Sequence, residues 1–171
     1  MKNTLTKKEL KEIQKIEHFR DNIMLFEEQL LDIEGSYGDP SNPGMNEVAN
    51  KINPLKHTFA DGLYIREIFM PKGQIISTGI HKKKHPYFVL KGEISVLSQD
   101  GITSIKAPYH GITDPGTKRI IFIHEDSIWI TVHATDKDNV EETLNDIIAK
   151  DFNDSEISID NMKKYLKLKN K

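Results

Sequence analysis

The chain has 171 residues, of which 29% are charged and 37% apolar, and its formal net charge is −2. That length suits one domain of ordinary size with a real core, and the near-neutral balance excludes a global field that would draw it to nucleic acid or to an anionic membrane. There is no cysteine, which excludes disulfides and zinc–thiolate sites and leaves histidine to supply any soft nitrogen ligation.

No apolar run approaches the length of a membrane span. The N-terminus is polar, without the apolar core of a signal peptide. The expectation is a cytoplasmic protein with no membrane partner and no nucleic-acid partner.

The first segment, 1–34, reads as a long helix. Thr6 and Glu9 have the spacing of a capping box. Apolar residues recur at Leu10, Ile13, Ile16, Phe19, Ile23, Phe26, Leu30 and Ile33, and from Ile16 onward the steps alternate three and four. Gly35 is the expected stop. Such a stripe packs either on its own domain or on a second subunit, and the expectation is a homo-oligomer that uses the Ile16 to Ile33 seam or an edge of the β-structure.

Residues 35–54 read as a linker loop rich in Gly, Pro, Asn and Ser, with room for a helical turn around Asn46 to Lys51.

Residues 55–135 read as short strands separated by turns. Gly62 to Pro71 and Gln74 to His81 are β-branched and aromatic. Tyr87 to Leu90 and Glu93 to Leu97 flank a tight turn at Lys91-Gly92. Asp100-Gly101 has the type I′ hairpin signature, and Ile102 to Ala107 follows. Arg119 to Ile123 and Ser127 to His133 flank a polar turn at His124 to Asp126. No helix interrupts the series, which points to an all-β sandwich or barrel and not to a parallel α/β sheet.

Residues 136–171 read as a helical extension. Asp138 and Glu141 suggest a second capping box. Val140, Leu144, Ile147 and Ile148 form one apolar face, a last short helix starts after Asp160, and the tail is lysine-rich.

The chemistry concentrates around His81-Lys-Lys-Lys-His85. On one unbroken strand, period two would put Lys83 on the same face as both histidines, and a lysine inside a small barrel is costly. The better reading is a turn at Lys82 to Lys84 that brings His81 and His85 face to face. His110, between Pro108-Tyr109 and Gly111, would join from a later strand. Three neutral imidazoles at about 2.0–2.1 Å would hold a divalent ion (zinc, iron, manganese or nickel) with positions left open. His133 alternates with Trp129 and Thr131, so the three share one strand face; if that face is internal, His133 is a fourth pocket residue. His124 is expected to face solvent, and His57 has no visible partner.

Gly73, His81 and Gly92, followed by Pro108-Tyr109-His110-Gly111, resemble the two sequence motifs of the cupin superfamily. The resemblance spans about Leu63 to His133 and implies a cupin or jelly-roll β-barrel between helical extensions. Where the family motif has its first histidine this chain has Gly79, and the glutamate position holds His85. The run from Ala107 to Arg119, with the later His124 to His133, is also similar to small cupin-like proteins of phages.

The resemblance implies one of two roles. The first is a non-catalytic binding protein, the reading favoured by the missing acidic ligand. Lys83, His85, Tyr87, Tyr109, Arg119, Trp129 and His133 would take a small anionic molecule, a phosphate or carboxylate compound, beneath a cationic rim of Lys82, Lys83, Lys84, Lys118 and Arg119. In a phage setting it would sequester a host nucleotide signal. The alternative is a metal-dependent enzyme of oxygenase, isomerase or hydrolase type, with His81, His85 and His110 as ligands and Tyr87, Tyr109 or His133 orienting the substrate or shuttling a proton. No phosphate-binding glycine loop, serine elbow or cysteine nucleophile is present.

Overall fold

The computed structural model describes residues 6–37 and 43–159. The expected helix after Asp160, the lysine-rich tail and part of the Gly/Pro run fall outside the described residues.

Helix α1 spans Lys7–Leu31, and the capping box at its start is formed. The Glu9 N–H donates to Thr6 Oγ1 at 3.2 Å and the Thr6 N–H to Glu9 Oε2 at 2.7 Å, which satisfies two of the donors a helix start leaves open. Ile13, Ile16 and Ile23 are buried, whereas Phe26, Leu31 and Ile33 are exposed. The apolar stripe is therefore covered from Ile13 to Ile23, with Leu10 before it also exposed. Arg20 lies on the buried face. It donates to the Ile157 carbonyl at 3.0 Å and sits 4.5 Å over the Phe152 ring, tying the helix to the chain beyond β11. Helix α2 spans Pro43–Ile52, longer than the turn expected there. Just beyond it, Asn53 donates to the Phe69 carbonyl and to Gln74 Oε1.

The strands are β1 (Leu55–Ala60), β2 (Leu63–Met70), β3 (Ile75–Ser77), β4 (Ile80–His81), β5 (His85–Lys91), β6 (Glu93–Ser98), β7 (Gly101–Lys106), β8 (Tyr109–Thr113), β9 (Ile120–Ile123) and β10 (Ser127–Ala134). Helix α3 (Val140–Ile147) and the short β11 (Ile148–Ala149) follow. All pairings are antiparallel: a five-stranded sheet β1-β2-β10-β5-β8, a four-stranded sheet β3-β9-β6-β7, and the pair β11-β4. The two larger sheets pack face to face as a jelly-roll-type sandwich, and among the described residues no ladder closes them into a barrel. Between them lie Met70, Tyr87, Val89 and Trp129 from the first sheet and Ile94, Val96, Ile105, Ile121 and Ile123 from the second. Alternation explains the split, because only every second residue of a strand faces the partner sheet.

Several expectations are corrected. The strand expected over 74–81 breaks at Thr78-Gly79 into β3 and β4, because β4 leaves the sandwich to pair with β11. Strands β1 and β8 add edges that the sequence reading did not separate from their loops. At the β6–β7 hairpin only Gly101 has positive φ (+108°), whereas a type I′ turn needs it at Asp100 as well. The cap of α3 is Asn139, whose side chain accepts from the Glu142 N–H at 2.9 Å, one residue later than expected. The Lys91-Gly92 turn is as expected: Gly92 has φ +90°, and a Cβ there would collide with Ser127.

Candidate metal centre

Three histidines converge at one end of the inner face of the five-stranded sheet. β4 ends at His81, Lys82 to Lys84 turn the chain, and β5 begins at His85. On β10 the register places Thr131 opposite Tyr87 and Trp129 opposite Val89. Two residues further on, the same register brings His133 beside His85. The third ring is held in place by backbone: the His81 N–H donates to the Thr117 carbonyl at 3.1 Å, and the Gly116 N–H to the His81 carbonyl at 2.7 Å. Ring centroids are 4.1 Å apart for His85–His133, 4.4 Å for His81–His85 and 5.9 Å for His81–His133. One ligand nitrogen from each lies within 4.8 Å of the others.

His85 and His133 are buried, His81 half-buried. His81 Nδ1, His85 Nε2 and His133 Nδ1 are all buried without a hydrogen-bond partner. An unmet buried polar atom costs about 1–3 kcal/mol, and the fold leaves one on each of the three clustered rings. The Lys83 carbonyl lies 3.0 Å from His85 Nδ1. A carbonyl only accepts, so this bond places the proton on Nδ1 and leaves the Nε2 lone pair free, the arrangement found in metal-ligating histidines.

Burial holds the cluster neutral. His133 is pushed down to about 3 by burial and then by the charges of His85, Arg66 and Lys83. His81 lies well below its usual value through burial, the two other histidines, Arg119 and Arg66. His85 is lowered by burial, and further by Arg119. Neutral imidazole is the ligating form. Nitrogens bound to one ion at 2.0–2.1 Å lie about 3–4 Å apart, so modest turns of these rings would bring them onto a divalent ion. The residues present fit such an ion.

The expected ligand set is changed at one position. His81 and His85 meet across the lysine turn as anticipated, but His110 does not join them. On β8, Tyr109, Gly111 and Thr113 pair with the inward-facing Val89, Tyr87 and His85. His110 falls on the opposite parity, pairs with Phe88 and is exposed, its ring 6.1 Å from the Phe88 ring. His133 takes the third place.

The remaining anticipated residues divide in two. Tyr87 and Trp129 are buried and stacked 4.5 Å apart, and Arg119, 7% exposed, sits 5.3 Å over the Tyr87 ring. Tyr109 is exposed at the edge strand, with its ring 6.1 Å from that of Tyr87. The lysines are not a free cationic rim. Lys82 pairs with Asp154 and Glu156, Lys83 with Asp146, Lys84 with Asp114, and the buried Lys118 with Glu27 of α1. Each charge is answered by a carboxylate, which the sequence reading could not see because three of those acids come from the C-terminal extension.

Two inner-face residues went unnoticed. Tyr64 pairs with His133 across β2 and β10, and Arg66 pairs with Thr131. His57 of β1 is not partnerless: its Nδ1 lies 2.6 Å from Tyr64 Oη. The signal was parity, since Tyr64, Arg66, Ile68 and Met70 alternate along one strand. His124 is half-buried and bonded to Ser95 Oγ at 2.7 Å, not simply solvent-facing.

No protein-family model matches the sequence, and no curated protein matches it. Solved cupin domains are similar in strand arrangement. The cupin domain of Schizosaccharomyces pombe Cnp3 shares 20% identity, over 48% of this chain and 60% of that one, at a TM-score of 0.41. A Cupin_2 domain from an XRE-family transcriptional regulator of Enterobacter cloacae shares 8%, over 50% and 99%, at 0.43. An acetylacetone dioxygenase of Acinetobacter johnsonii shares 23%, over 48% and 58%, at 0.39. These likenesses concern the fold; the chemistry below is argued from this chain's own side chains.

Proposed function

We propose that this is a metal-binding, small-molecule-binding jelly-roll protein in which His81, His85 and His133 hold one divalent ion. The observation that carries the reading is the convergence of three histidines, each offering a nitrogen within 4.8 Å of the others and each with a buried ring nitrogen that has no partner among the described residues. A divalent ion bound there supplies Lewis acidity toward an oxygen of a coordinated molecule.

The chain's own residues define the surroundings. Lys83, through its carbonyl, holds His85 in the ligating tautomer. Tyr87, raised to about 12 by burial and by Tyr109, keeps its proton and remains a hydroxyl. Trp129 and Arg119 fix that ring from its two sides. The histidine group contains no carboxylate, so no acid–base partner of that kind stands among the ligands. The role proposed is capture of a small molecule at the ion.

Calorimetric titration with zinc, manganese and nickel tests the reading. One ion per chain should bind to the wild type and to His110→Ala. Binding should be lost in His81→Ala, His85→Ala and His133→Ala. A wild-type protein that takes up no divalent ion would refute the centre. Steady release of an altered product from a captured compound would replace capture with catalysis.

A further inference from the structure

The inner face carries two arginines whose positions relative to the histidines are alike. Arg66 on β2 is opposite Thr131 and therefore diagonal to His133. Arg119 follows Thr117, which bridges His81, and is therefore diagonal to His81. The chain is held in that place by Thr78, whose N–H donates to the Arg119 carbonyl at 2.9 Å and whose hydroxyl accepts from the Arg119 N–H at 3.0 Å. Diagonal neighbours on one face have Cα atoms about 7–8 Å apart, within reach of a long side chain. The two guanidinium charges thus act on one cluster from two parts of the chain, Arg66 on His81 and His133 and Arg119 on His81 and His85.

Neither guanidinium is answered by an acid of the fold among the described residues. Among the described residues, no hydrogen bond or ion pair to a carboxylate engages the Arg66 or Arg119 guanidinium, although the charges of Asp114 and Asp100 act on Arg119 from further off. The lysines nearby behave oppositely, each with its own acid. Arg119 is 7% exposed and its guanidinium lies 5.3 Å over the Tyr87 ring. Burying an arginine without an anion is costly. Two such residues beside a cluster of neutral histidines describe a place for negative charge that the chain itself does not provide.

We propose that the molecule captured here is a small dianion, gripped by Arg66 and Arg119 through its two oxyanion groups, with one of these groups also facing the histidine centre. Guanidinium forks suit carboxylate and phosphoryl oxygens equally in kind, through paired charge-assisted hydrogen bonds. The Tyr87 hydroxyl, on the ring that Arg119 overlies, adds a further polar group. The clamp rests on the metal centre proposed above only for the last of these contacts, since the arginines act without an ion.

The test uses four probes, malonate, phosphonoacetate, acetate and the neutral isostere malonamide, titrated calorimetrically into zinc-loaded and zinc-free wild type. Malonate or phosphonoacetate should bind at least about tenfold more tightly than acetate or malonamide, the equivalent of one charge-assisted hydrogen bond pair. Preference for phosphonoacetate would assign a phosphoryl end and preference for malonate a carboxylate end, and either supports the clamp. Arg66→Gln and Arg119→Gln should each remove that preference while zinc is still taken up. Arg66→Lys and Arg119→Lys, which keep charge and buried stem, should weaken it even where a glutamine variant fails to fold. Dianion binding by a protein that takes up no zinc would retain the clamp and refute the metal centre. Zinc uptake with malonate and malonamide bound equally, or neither bound, would overturn the clamp and leave the metal centre standing. Acetate binding as tight as malonate would overturn its two-armed form.

Discussion

Acidifying the metal-free protein should weaken it through His133 in particular. In the folded chain this imidazole titrates near 3 because it is 3% exposed and crowded by His85, Arg66 and Lys83. In the unfolded chain it titrates near the ordinary value of about 6.5. Between those values the unfolded state carries a proton that the folded state lacks, so stability rises with pH across the window and falls as pH drops through it. One unit of separation is about 1.36 kcal/mol, and moving from about pH 7 to about pH 5 should remove roughly 2 kcal/mol through this one residue. His81 and His85 are shifted in the same direction and add to the loss. Urea denaturation at the two pH values, for wild type and for His133→Phe, isolates the effect, because the carboxylates are common to both. The variant should lose roughly 2 kcal/mol less than the wild type over the same interval. Equal losses would show that His133 is protonated as readily in the folded chain as in the unfolded one, and that it does not sit in the buried cluster described here.

Three other results follow from the same packing. Zinc affinity should stay nearly level between about pH 8 and about pH 6.5, because the ligands are already neutral there and few protons need be released; a steep fall over that range in calorimetric titrations would contradict the lowered His81, His85 and His133. Gly111→Ala should cost about 1–3 kcal/mol in urea denaturation and disturb near-ultraviolet ellipticity, since a Cβ there would lie 2.6 Å from Tyr87 Oη in a ring stacked on Trp129; an unperturbed spectrum and stability would refute that packing. Glu27→Gln should cost more stability than Lys118→Met, on the order of 2–4 kcal/mol against less than about half of that. The glutamine leaves an ammonium buried at 4% side-chain exposure with only the Thr78 carbonyl, whereas the methionine removes the charge altogether; the reverse order would show that this pair does not hold α1 on the sandwich.

What was legible in the sequence was the part governed by local rules. The capping box at Thr6, the Gly92 turn and the polar turn at His124 to Asp126 all follow from short-range geometry. The strand split at Thr78-Gly79 was not legible. The break exists because β4 pairs with β11, about 70 residues away in sequence, and no pattern within 74–81 announces a partner so distant. The Asp138 box failed for a different reason. Asp138 and Asn139 are both good caps, and a spacing of three to Glu141 or Glu142 is available to each, so the sequence alone leaves the start of α3 ambiguous by one residue.

The histidine centre shows where such reasoning is strong and where it stops. The steric argument against Lys83 on an inner face correctly turned the chain between His81 and His85. The same parity argument identified His133 as internal if Trp129 was internal, and Trp129 is buried. Applied to β8 it would have placed His110 outside, but that required recognising Tyr109–Thr113 as a strand paired with β5, and Pro108 and Gly111 made the segment look like a loop. The cationic rim failed more fundamentally. Charge along the sequence locates lysines but not the acids that answer them, and Asp146, Asp154 and Glu156 arrive from beyond the sandwich to do so. Arg66 was overlooked because a single arginine in an alternating strand reads as an outward residue. Its register with Thr131 puts it inward instead, and that reversal moves the site's positive charge from a lysine rim to a pair of inner-face arginines. An inward charge that the fold does not pair is the feature most informative about what enters the sandwich, because a packed interior retains such a residue at a cost to stability.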